Sequence, residues 1–291
     1  MPGVPFCLAY LEQFPRLEGV DARWKRFRDT QSSLEEALGE PVSVTGLAGP
    51  LWIFQRVRGH RHSIDDAVTG WYALQKCPEA LKVLDLGTGV GTVGMIVLEG
   101  LGEAAHMTCI EAQETSFRLL CANLECNGLS RRVTAIHGDL RELELPMEFD
   151  LITGSPPYFP SHTGTLPKDS QKAYARFELR GHLGDYARVA KRHLHPDGMF
   201  VYCFPYQQEQ RGIDLVLQQG FRIASYREVV PTRNSKPLFS VFAARLGAEG
   251  PTSQEPPLIV EGDDGRYTPE MLAIQSSRGF GPQGTNATFP P

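Results

Sequence analysis

The chain has 291 residues, of which 41% are hydrophobic and 22% are charged, as expected of a globular protein with one large domain or a core domain with extensions. Its formal net charge of −5 argues against a protein that coats nucleic acid non-specifically, because such binding depends on many lysine and arginine contacts to phosphates. A local basic patch is compatible with that charge. No apolar stretch approaches the length that crosses a membrane.

The cysteine and histidine patterns bear on the compartment and on metals. None of the six cysteines forms a Cys-x-x-Cys pair, and several lie inside apolar runs. We expect reduced, buried thiols and, without a secretory signal, a cytoplasmic protein. His60, His62, His137 and His162 show no metal-ligand spacing with cysteines or acids, so no catalytic metal is expected. The oligomeric state is not set by the sequence, and a monomer is the default.

Residues 1–47 are charged and helical in pattern, and we interpret them as an accessory segment. Leu51–Arg58 is predicted to be a strand, and a basic run follows it. The next four residues, Ser63-Ile64-Asp65-Asp66, fit a capping box that opens a helix through Leu74.

From about Val83, short β-branched runs alternate with helical periods, the pattern of a parallel sheet with helices on both faces. Five apolar runs are too short for helices and are predicted to be strands: Lys82–Leu86, Met107–Glu111, Val133–His137, Phe149–Thr153 and Met199–Phe204. Glu114–Asn127 is predicted to be a helix, and Tyr174–His193 a helix or a helix pair interrupted near Gly181 and Gly184.

The pattern changes after Cys203. Phe221–Pro231 and Leu238–Leu246 are predicted to form a two-stranded antiparallel return. These runs close a main domain that we place at residues 48–250. Residues 251–291 are predicted to be an extension, disordered from about residue 275, because Pro, Gly, Ser and Gln accumulate there.

The first predicted strand of the sheet runs into Gly87-Thr88-Gly89-Val90-Gly91-Thr92, a turn that lets a ligand approach the backbone closely. Because Gly89, Gly91 and Gly94 satisfy the G-x-G-x-x-G spacing, a dinucleotide site is one interpretation. Asp85 opposes it, since a negative charge two residues before the first glycine repels a pyrophosphate but suits the ammonium group of an amino-acid-like cofactor.

Two further acids follow predicted strands. Glu111, before Ala112, lies 20 positions after Gly91, the spacing at which a carboxylate accepts hydrogen bonds from two ribose hydroxyls. Both NAD and S-adenosylmethionine need that contact. Asp139 is placed to accept from an adenine amino group while Leu140 packs on the ring; the alternative is an aspartate that stabilises its own turn.

Ser155-Pro156-Pro157-Tyr158 follows the fourth predicted strand of the sheet. The two prolines hold their carbonyls at a fixed angle, and Ser155 is pushed to extended geometry. With an aromatic ring beside them, these groups suit a planar amine and predict one wall of an active site. The alternative is a stiff loop that carries a packed tyrosine.

Taken in order, Asp85-Leu86-Gly87-Thr88-Gly89, Glu111, Gly138-Asp139-Leu140 and Ser155-Pro156-Pro157-Tyr158 resemble the Rossmann-like amino-group methyltransferases that use S-adenosylmethionine. Residues 48–275 resemble more narrowly the bacterial adenine-N6 methyltransferases that act on valine tRNA. That resemblance rests on Gly59–Asp66, Arg180–Leu183, Pro196–Gly198, Val229–Pro231 and Glu261–Thr268.

The resemblance implies a class I methyltransferase fold, α/β, with a mostly parallel twisted sheet, an antiparallel C-terminal hairpin and helices on both faces. It implies S-adenosylmethionine as the cofactor. The residues that it assigns to cofactor binding are Asp85, Gly87, Thr88, Gly89, Gly91, Glu111, Ala112, Asp139, Leu140 and Ser155.

The resemblance also implies that the Ser155 side chain and the Pro156 carbonyl accept hydrogens of the target amine while Tyr158 stacks on the base. Ser155 departs from the family, which usually carries Asn there, and serine is typical of cytosine-N4 methyltransferases. The leading hypothesis is an RNA adenine-N6 methyltransferase acting on tRNA. The alternatives are a cytosine-N4 or protein glutamine-N5 methyltransferase, and an inactive cofactor-binding partner subunit.

A basic patch near the pocket is predicted to meet RNA phosphates. It comprises Arg56, Arg58, Arg61, Lys168, Lys172 and Arg176. For any single one of these residues the alternative is a solvated surface charge.

Overall fold

The computed structural model describes residues 20–146, 148–247 and 250–276. The N-terminal elements are α1 (Val20–Leu38), β1 (Val42–Ala48), β2 (Leu51–Arg56) and α2 (Ile64–Lys76). The central elements are β3 (Lys82–Leu86), α3 (Thr92–Gly100), β4 (His106–Glu111), α4 (Glu114–Cys126), β5 (Val133–His137), β6 (Phe149–Gly154), α5 (Ser170–Arg176), α6 (Leu183–His193) and β7 (Leu194–Pro205). The C-terminal elements are α7 (Glu209–Leu217), β8 (Phe221–Thr232), β9 (Phe239–Leu246), β10 (Ser253–Gln254), β11 (Leu258–Glu261) and α8 (Pro269–Ser276).

The main sheet has the strand order β10-β8-β9-β7-β6-β3-β4-β5, and β11 also pairs with β8. Five neighbouring strands, β7, β6, β3, β4 and β5, are parallel to one another, whereas β9 is antiparallel to both β7 and β8. The mostly parallel sheet and the antiparallel C-terminal return are therefore confirmed. β7 begins at Leu194 rather than at Met199, because residues 194–198 continue the strand through an irregular register.

Both faces of the sheet are buried, which explains the continuous apolar runs of its strands. Alternate side chains of β7 enter opposite layers, with Val201 and Cys203 in one core cluster and Phe200 and Tyr202 in the other. Because this alternation repeats in β3, two hydrophobic layers hold the sheet rigid between the helices. A rigid sheet fixes the loops at the ends of its strands.

The N-terminal hairpin is a difference from the sequence prediction. Residues 42–48 form β1, which pairs with β2, although only helix was expected before residue 48. Helix α4 holds the hairpin, since Asn123 Oδ1 accepts from the Phe54 amide at 2.6 Å and Asn127 Oδ1 from the Trp52 amide at 3.0 Å. Phe27 of α1 packs on Phe54 with ring centroids 5.3 Å apart. The boundary predicted at residue 48 lies inside this hairpin.

The predicted interruption before α6 is confirmed. The chain leaves helical geometry between α5 and α6, where Gly181 adopts φ of 105°, whereas Gly184 lies within α6. At the C-terminus, α8 extends to Ser276, so only the first two residues of the segment predicted to be disordered are described, and they are helical. The rest of that segment and residues 1–19 lie outside the described residues. In the described ranges no helix is long and apolar enough to cross a membrane.

Candidate active site

A cavity of about 330 Å³ lies at the carboxyl ends of β3, β4, β5 and β6. Ligands of open α/β sheets bind at this edge, where the loops after successive parallel strands converge. Further lining residues come from the segment that leads into α2 and from α5. The cavity therefore joins stretches of chain that are remote in sequence. All predicted site residues line it except Gly91.

The glycine-rich turn follows β3 and has left-handed backbone at Gly87 and Gly89, both with φ of 60°. A methyl group at position 87 would lie 2.2 Å from the Tyr186 hydroxyl oxygen, whereas one at position 89 would meet no atom within 4 Å. Gly91 differs from its predicted role. It is the N-cap of α3, with φ of 95°, and it faces Leu120. Gly91 therefore supports the conformation of the turn without lining the cavity.

Asp85 is the internal anchor of this turn. Its carboxylate is 1% exposed and accepts hydrogen bonds from the Thr88 hydroxyl, from Thr153 Oγ1 at 2.7 Å and from the Gly94 amide at 3.2 Å. Burial raises the pKa of Asp85 to about 6. Both oxygens serve donors of the protein itself, so the structure gives Asp85 an organising role in addition to its place on the cavity wall.

Glu111 presents the second carboxylate, and it is 5% exposed. It accepts from the Gly89 amide at 2.9 Å and from the Gln113 amide at 2.6 Å. Burial raises the pKa of Glu111 to about 7. Because a carboxylate has about four acceptor positions, two remain for hydroxyl donors in the cavity.

Asp139 lies after β5, with Leu140 beside it in the cavity wall. Arg141 binds both oxygens of Asp139, through Nε at 2.9 Å and Nη2 at 2.6 Å, and these bonds lower the pKa of Asp139. This fork was not predicted. It keeps the carboxylate ionised and fixes its plane. Oδ1 also accepts from the Arg141 backbone amide at 3.0 Å, so Asp139 stabilises its own turn as well, and the acceptor position that stays available to another donor is on Oδ2.

The wall after β6 contains a small polar cluster. Ser155 Oγ lies 3.3 Å from Tyr158 Oη and 3.6 Å from Cys203 Sγ. Tyr158 Oη donates to Asp65 Oδ2 at 2.9 Å, and Cys203 Sγ lies 3.0 Å from the same phenol oxygen. The Tyr158 ring packs edge-on against Phe204 with centroids 5.7 Å apart. This aromatic contact and the hydroxyl contacts hold Tyr158 in the cavity wall.

The sequence did not place Asp65 in the site. It was interpreted as part of a helix cap, but the capping contact belongs to its neighbour, since the Ser63 amide donates to Asp66 Oδ2 at 3.2 Å. Two acids stand in succession where the cap uses only one. That surplus carboxylate was the available signal, and it is the one that reaches Tyr158.

The predicted basic patch is only partly at the cavity. The Arg56 guanidinium binds Glu40, Asp169 and Gln171, so it joins β2 to the loop before α5 and is not offered to a partner. Arg176 lines the cavity and lies over Phe159 at 5.7 Å. Arg180, which was not among the predicted basic residues, also lines the cavity, donates to the Ala112 carbonyl at 3.2 Å and lies 4.1 Å over Tyr174.

Among the described residues, no group of three or more His, Cys, Asp and Glu side chains is arranged to hold a metal ion. The site is therefore a cavity of carboxylates, backbone groups and one hydroxyl-rich wall.

The strand order and the turn after β3 are those of the class I methyltransferase fold. Residues 71–221 match the family model described as the methyltransferase small domain, and the chain belongs to that family. It is an S-adenosylmethionine-dependent methyltransferase. The resemblance to amino-group methyltransferases is thereby confirmed.

Two relatives share the name tRNA1(Val) (adenine(37)-N6)-methyltransferase. The one from Tolumonas auensis is 27% identical over 198 residues, covering 67% of this chain and 80% of the relative. The one from Vibrio parahaemolyticus is 26% identical over 212 residues, covering 73% of this chain and 85% of the relative.

Solved structures share the fold. A predicted O-methyltransferase from Agrobacterium tumefaciens superposes with a TM-score of 0.56 at 17% identity, covering 73% of this chain and 96% of that chain. A tRNA m1G37 methyltransferase from M. jannaschii gives a TM-score of 0.50 at 14% identity, covering 72% of this chain and 58% of that chain. At these identities the likeness shows the fold alone.

Proposed function

We propose that the protein transfers a methyl group from S-adenosylmethionine to the exocyclic N6 of an adenine in RNA, with tRNA as the RNA class. The observation that carries the proposal is one cavity with two chemically different sides. Glu111 and Asp139 offer acceptors for the hydroxyl and amino groups of a nucleoside, and Ser155, Pro156 and Tyr158 form a wall suited to a planar amine. The relatives that act on tRNA adenine supply the substrate class.

The cofactor side fits a nucleoside with an amino-acid tail. Glu111 would accept from the ribose hydroxyls and Asp139 from the adenine amino group, with Leu140 against the ring and Ala112 beside it. Gly89 leaves open the space that a side chain would fill. When bound, the cofactor supplies an electrophilic methyl group on a positively charged sulfur, which keeps the bonding electron pair as the methyl leaves.

The residues of the other side act on the target amine. Its lone pair is delocalised into the base, so the nitrogen is a poor nucleophile. Ser155 Oγ and the Pro156 carbonyl would each accept one of its hydrogens, which orients the lone pair toward the methyl group and stabilises charge as it develops on nitrogen. The nitrogen becomes acidic once alkylated and then releases a proton, so a strong general base is not required.

A second candidate keeps this chemistry and changes the amine to cytosine N4. Ser155 is the observation that favours it, because a hydroxyl is shorter than a carboxamide by about one bond and suits a closer amine. Protein glutamine is the remaining enzyme alternative. The inactive-partner alternative is not carried further, because the chain belongs to an enzyme family and its acids line the cavity.

Nucleoside mass spectrometry tests the proposal directly. The purified protein is incubated with methyl-labelled S-adenosylmethionine and unmodified tRNA, and the digested RNA is examined for labelled nucleosides. Labelled N6-methyladenosine supports the proposal, and labelled N4-methylcytidine supports the second candidate. RNA without label, in the presence of a protein that binds S-adenosylhomocysteine, contradicts both.

The pKa of Glu111 predicts how cofactor binding depends on pH. Donor hydroxyls favour the ionised carboxylate, so binding of S-adenosylhomocysteine should be strongest above about pH 7 and weaken by up to about tenfold per pH unit below it. Calorimetry across this range measures the affinity. Glu111→Gln should bind more weakly and lose most of the pH dependence, and any slope that remains reports on Asp85. An unchanged slope in Glu111→Gln contradicts the assignment.

RNA binding should depend on exposed basic side chains at or near the cavity rim. Arg176 lines the cavity, and exposed Arg58 lies two residues before the cavity residue His60. Replacing both by alanine should weaken tRNA binding and reduce the salt slope by about two, one for each lost phosphate contact. The control variant replaces Arg26 and Arg192, which lie in surface ion pairs. Equal losses in the two variants, or lost affinity for S-adenosylhomocysteine, contradict this role.

A further inference from the structure

We infer that Asp65 is a positioning residue for methyl transfer: acting through Tyr158, it orients the Ser155 hydroxyl so that its oxygen accepts a hydrogen bond from the target amine. The inference rests on the proposed function, in which Ser155 faces an exocyclic amine. It assigns a role in that reaction to a side chain from the first turn of α2.

The geometry links the start of α2 directly to the loop after β6. Asp65 lies in the first turn of α2, and Ser155 and Tyr158 follow β6; all three line the cavity. Asp65 Oδ2 accepts from Tyr158 Oη at 2.9 Å, and Asp65 Oδ1 accepts from the Ser63 hydroxyl. Tyr158 Oη in turn lies 3.3 Å from Ser155 Oγ. The chain of polar contacts therefore runs from a fixed carboxylate to the residue proposed to meet the amine.

The number of protons available decides which atom donates in each of these hydrogen bonds. An ionised carboxylate only accepts, so the single phenolic proton of Tyr158 is donated to Asp65. Burial raises the pKa of Tyr158 well above its usual value, which keeps that proton in place. The Tyr158 oxygen is then left only to accept, and its two lone pairs can serve both Cys203 Sγ at 3.0 Å and the Ser155 hydroxyl at 3.3 Å. Ser155 consequently turns its own proton into the wall and its lone pairs toward the cavity.

Removing the Asp65 carboxylate reverses the direction of the hydrogen bond between Tyr158 and Ser155. The Tyr158 proton is then free to be donated to Ser155, whose own proton turns toward the cavity and opposes the hydrogens of the amine. A carboxamide at position 155 escapes this dependence, because its oxygen accepts whatever its neighbours do. The requirement for Asp65 is thus tied to serine at position 155, where the related enzymes usually carry asparagine.

The test is a set of paired variants around Asp65→Leu, which keeps the size of the side chain and removes the acceptor. Turnover and KM of methyl transfer are measured with the RNA base that nucleoside analysis identifies. In the native background, Asp65→Leu should lower kcat by about tenfold to a hundredfold, the effect of one charge-assisted hydrogen bond. The affinity for S-adenosylhomocysteine should stay nearly constant.

The effect of Asp65→Leu on kcat is also measured in two variant backgrounds, where a positioning role and a merely structural role predict different results. Adding Asp65→Leu to Tyr158→Phe should cause no further loss, because the intermediate hydroxyl is already missing. Adding it to Ser155→Asn should have little effect, because the carboxamide needs no orientation. An equal loss of kcat in all three backgrounds overturns the inference, as does full activity of Asp65→Leu in the native background.

Two controls keep the outcome decisive. Asp29→Leu removes an exposed carboxylate of α1 and should leave kcat unchanged, and thermal unfolding shows whether each variant folds. The NMR resonance of isotope-labelled Tyr158, assigned by its loss in Tyr158→Phe, should shift in Asp65→Leu. Native protein that methylates no RNA base refutes the proposed function, and the resonance then decides the link by itself: an unshifted signal overturns it.

Discussion

Replacing Ser155 by alanine should lower the turnover of methyl transfer by roughly a hundredfold while the affinity for S-adenosylhomocysteine changes little. The contact between Ser155 Oγ and the amine strengthens only as the nitrogen lone pair is released, so its loss appears in kcat. The Ser155 side chain contacts Tyr158 and Cys203, whereas Glu111 is held by Gly89 and Gln113. The cofactor side is therefore expected to survive the substitution.

Ser155→Asn separates the two candidate bases. If the cavity holds adenine in the pose of the related enzymes, the carboxamide should retain or improve activity. If the cavity is shaped around a closer amine, the longer side chain should collide with it and activity should fall. Steady-state kinetics with the identified RNA measure both variants. Full activity in Ser155→Ala would remove this residue from the mechanism and leave the Pro156 carbonyl and Tyr158 as the groups that contact the base.

The second large effect is expected at Gly87. Gly87→Ala should lower the free energy of unfolding by about 3 kcal/mol, of which about 1–2 kcal/mol is left-handed backbone strain and about 1–3 kcal/mol is overpacking. The added methyl group would lie 2.2 Å from Tyr186 Oη and 3.0 Å from its Cζ. Tyr186 is 7% exposed and also packs against Gly154, so its ring has little room to withdraw. Urea unfolding measures the change.

Gly89→Ala is the matched control for that substitution. Its φ of 60° equals that of Gly87, but no atom lies within 4 Å of the added methyl group. The stability loss should therefore be the strain alone, about 1–2 kcal/mol. The methyl group would instead occupy the cavity and weaken S-adenosylhomocysteine binding. Equal destabilisation by the two substitutions would show that Tyr186 yields to the added group.

The sheet was predictable because its strands are buried on both faces. A run such as Lys82–Leu86 is apolar enough to indicate a strand without its neighbours, and carboxylates that follow such strands converge at one edge. β1 was missed although Val42 and Val44 alternate with polar residues, because the charged helix before it dominated the composition of that segment. A single strand with an alternating pattern is recognised with more certainty when its pairing partner is known, and here that partner is β2.

The contacts between walls were not predictable. Asp65 meets Tyr158, and Arg56 meets Asp169, only because the fold brings remote segments together. Sequence spacing carries no information about such pairs. The exception is a polar residue, such as Asp65, that the local structure does not need. The fork of Arg141 on Asp139 is local by contrast, but two residues that are two positions apart have many alternative geometries in a loop.

The C-terminal extension has a consequence for how copies of the protein meet one another. β8 has twelve residues, and beyond it the sheet would end in a long row of unpaired amide and carbonyl groups. β10 covers Ser225–Tyr226 and β11 covers Val229–Thr232, both in parallel register. The bidentate contact of Arg227 with Glu270 of α8 fastens this cover. Within the described ranges no residue after 250 lines the cavity, and the described part of the extension covers the edge of β8 at which edge-to-edge pairing of two copies would otherwise begin.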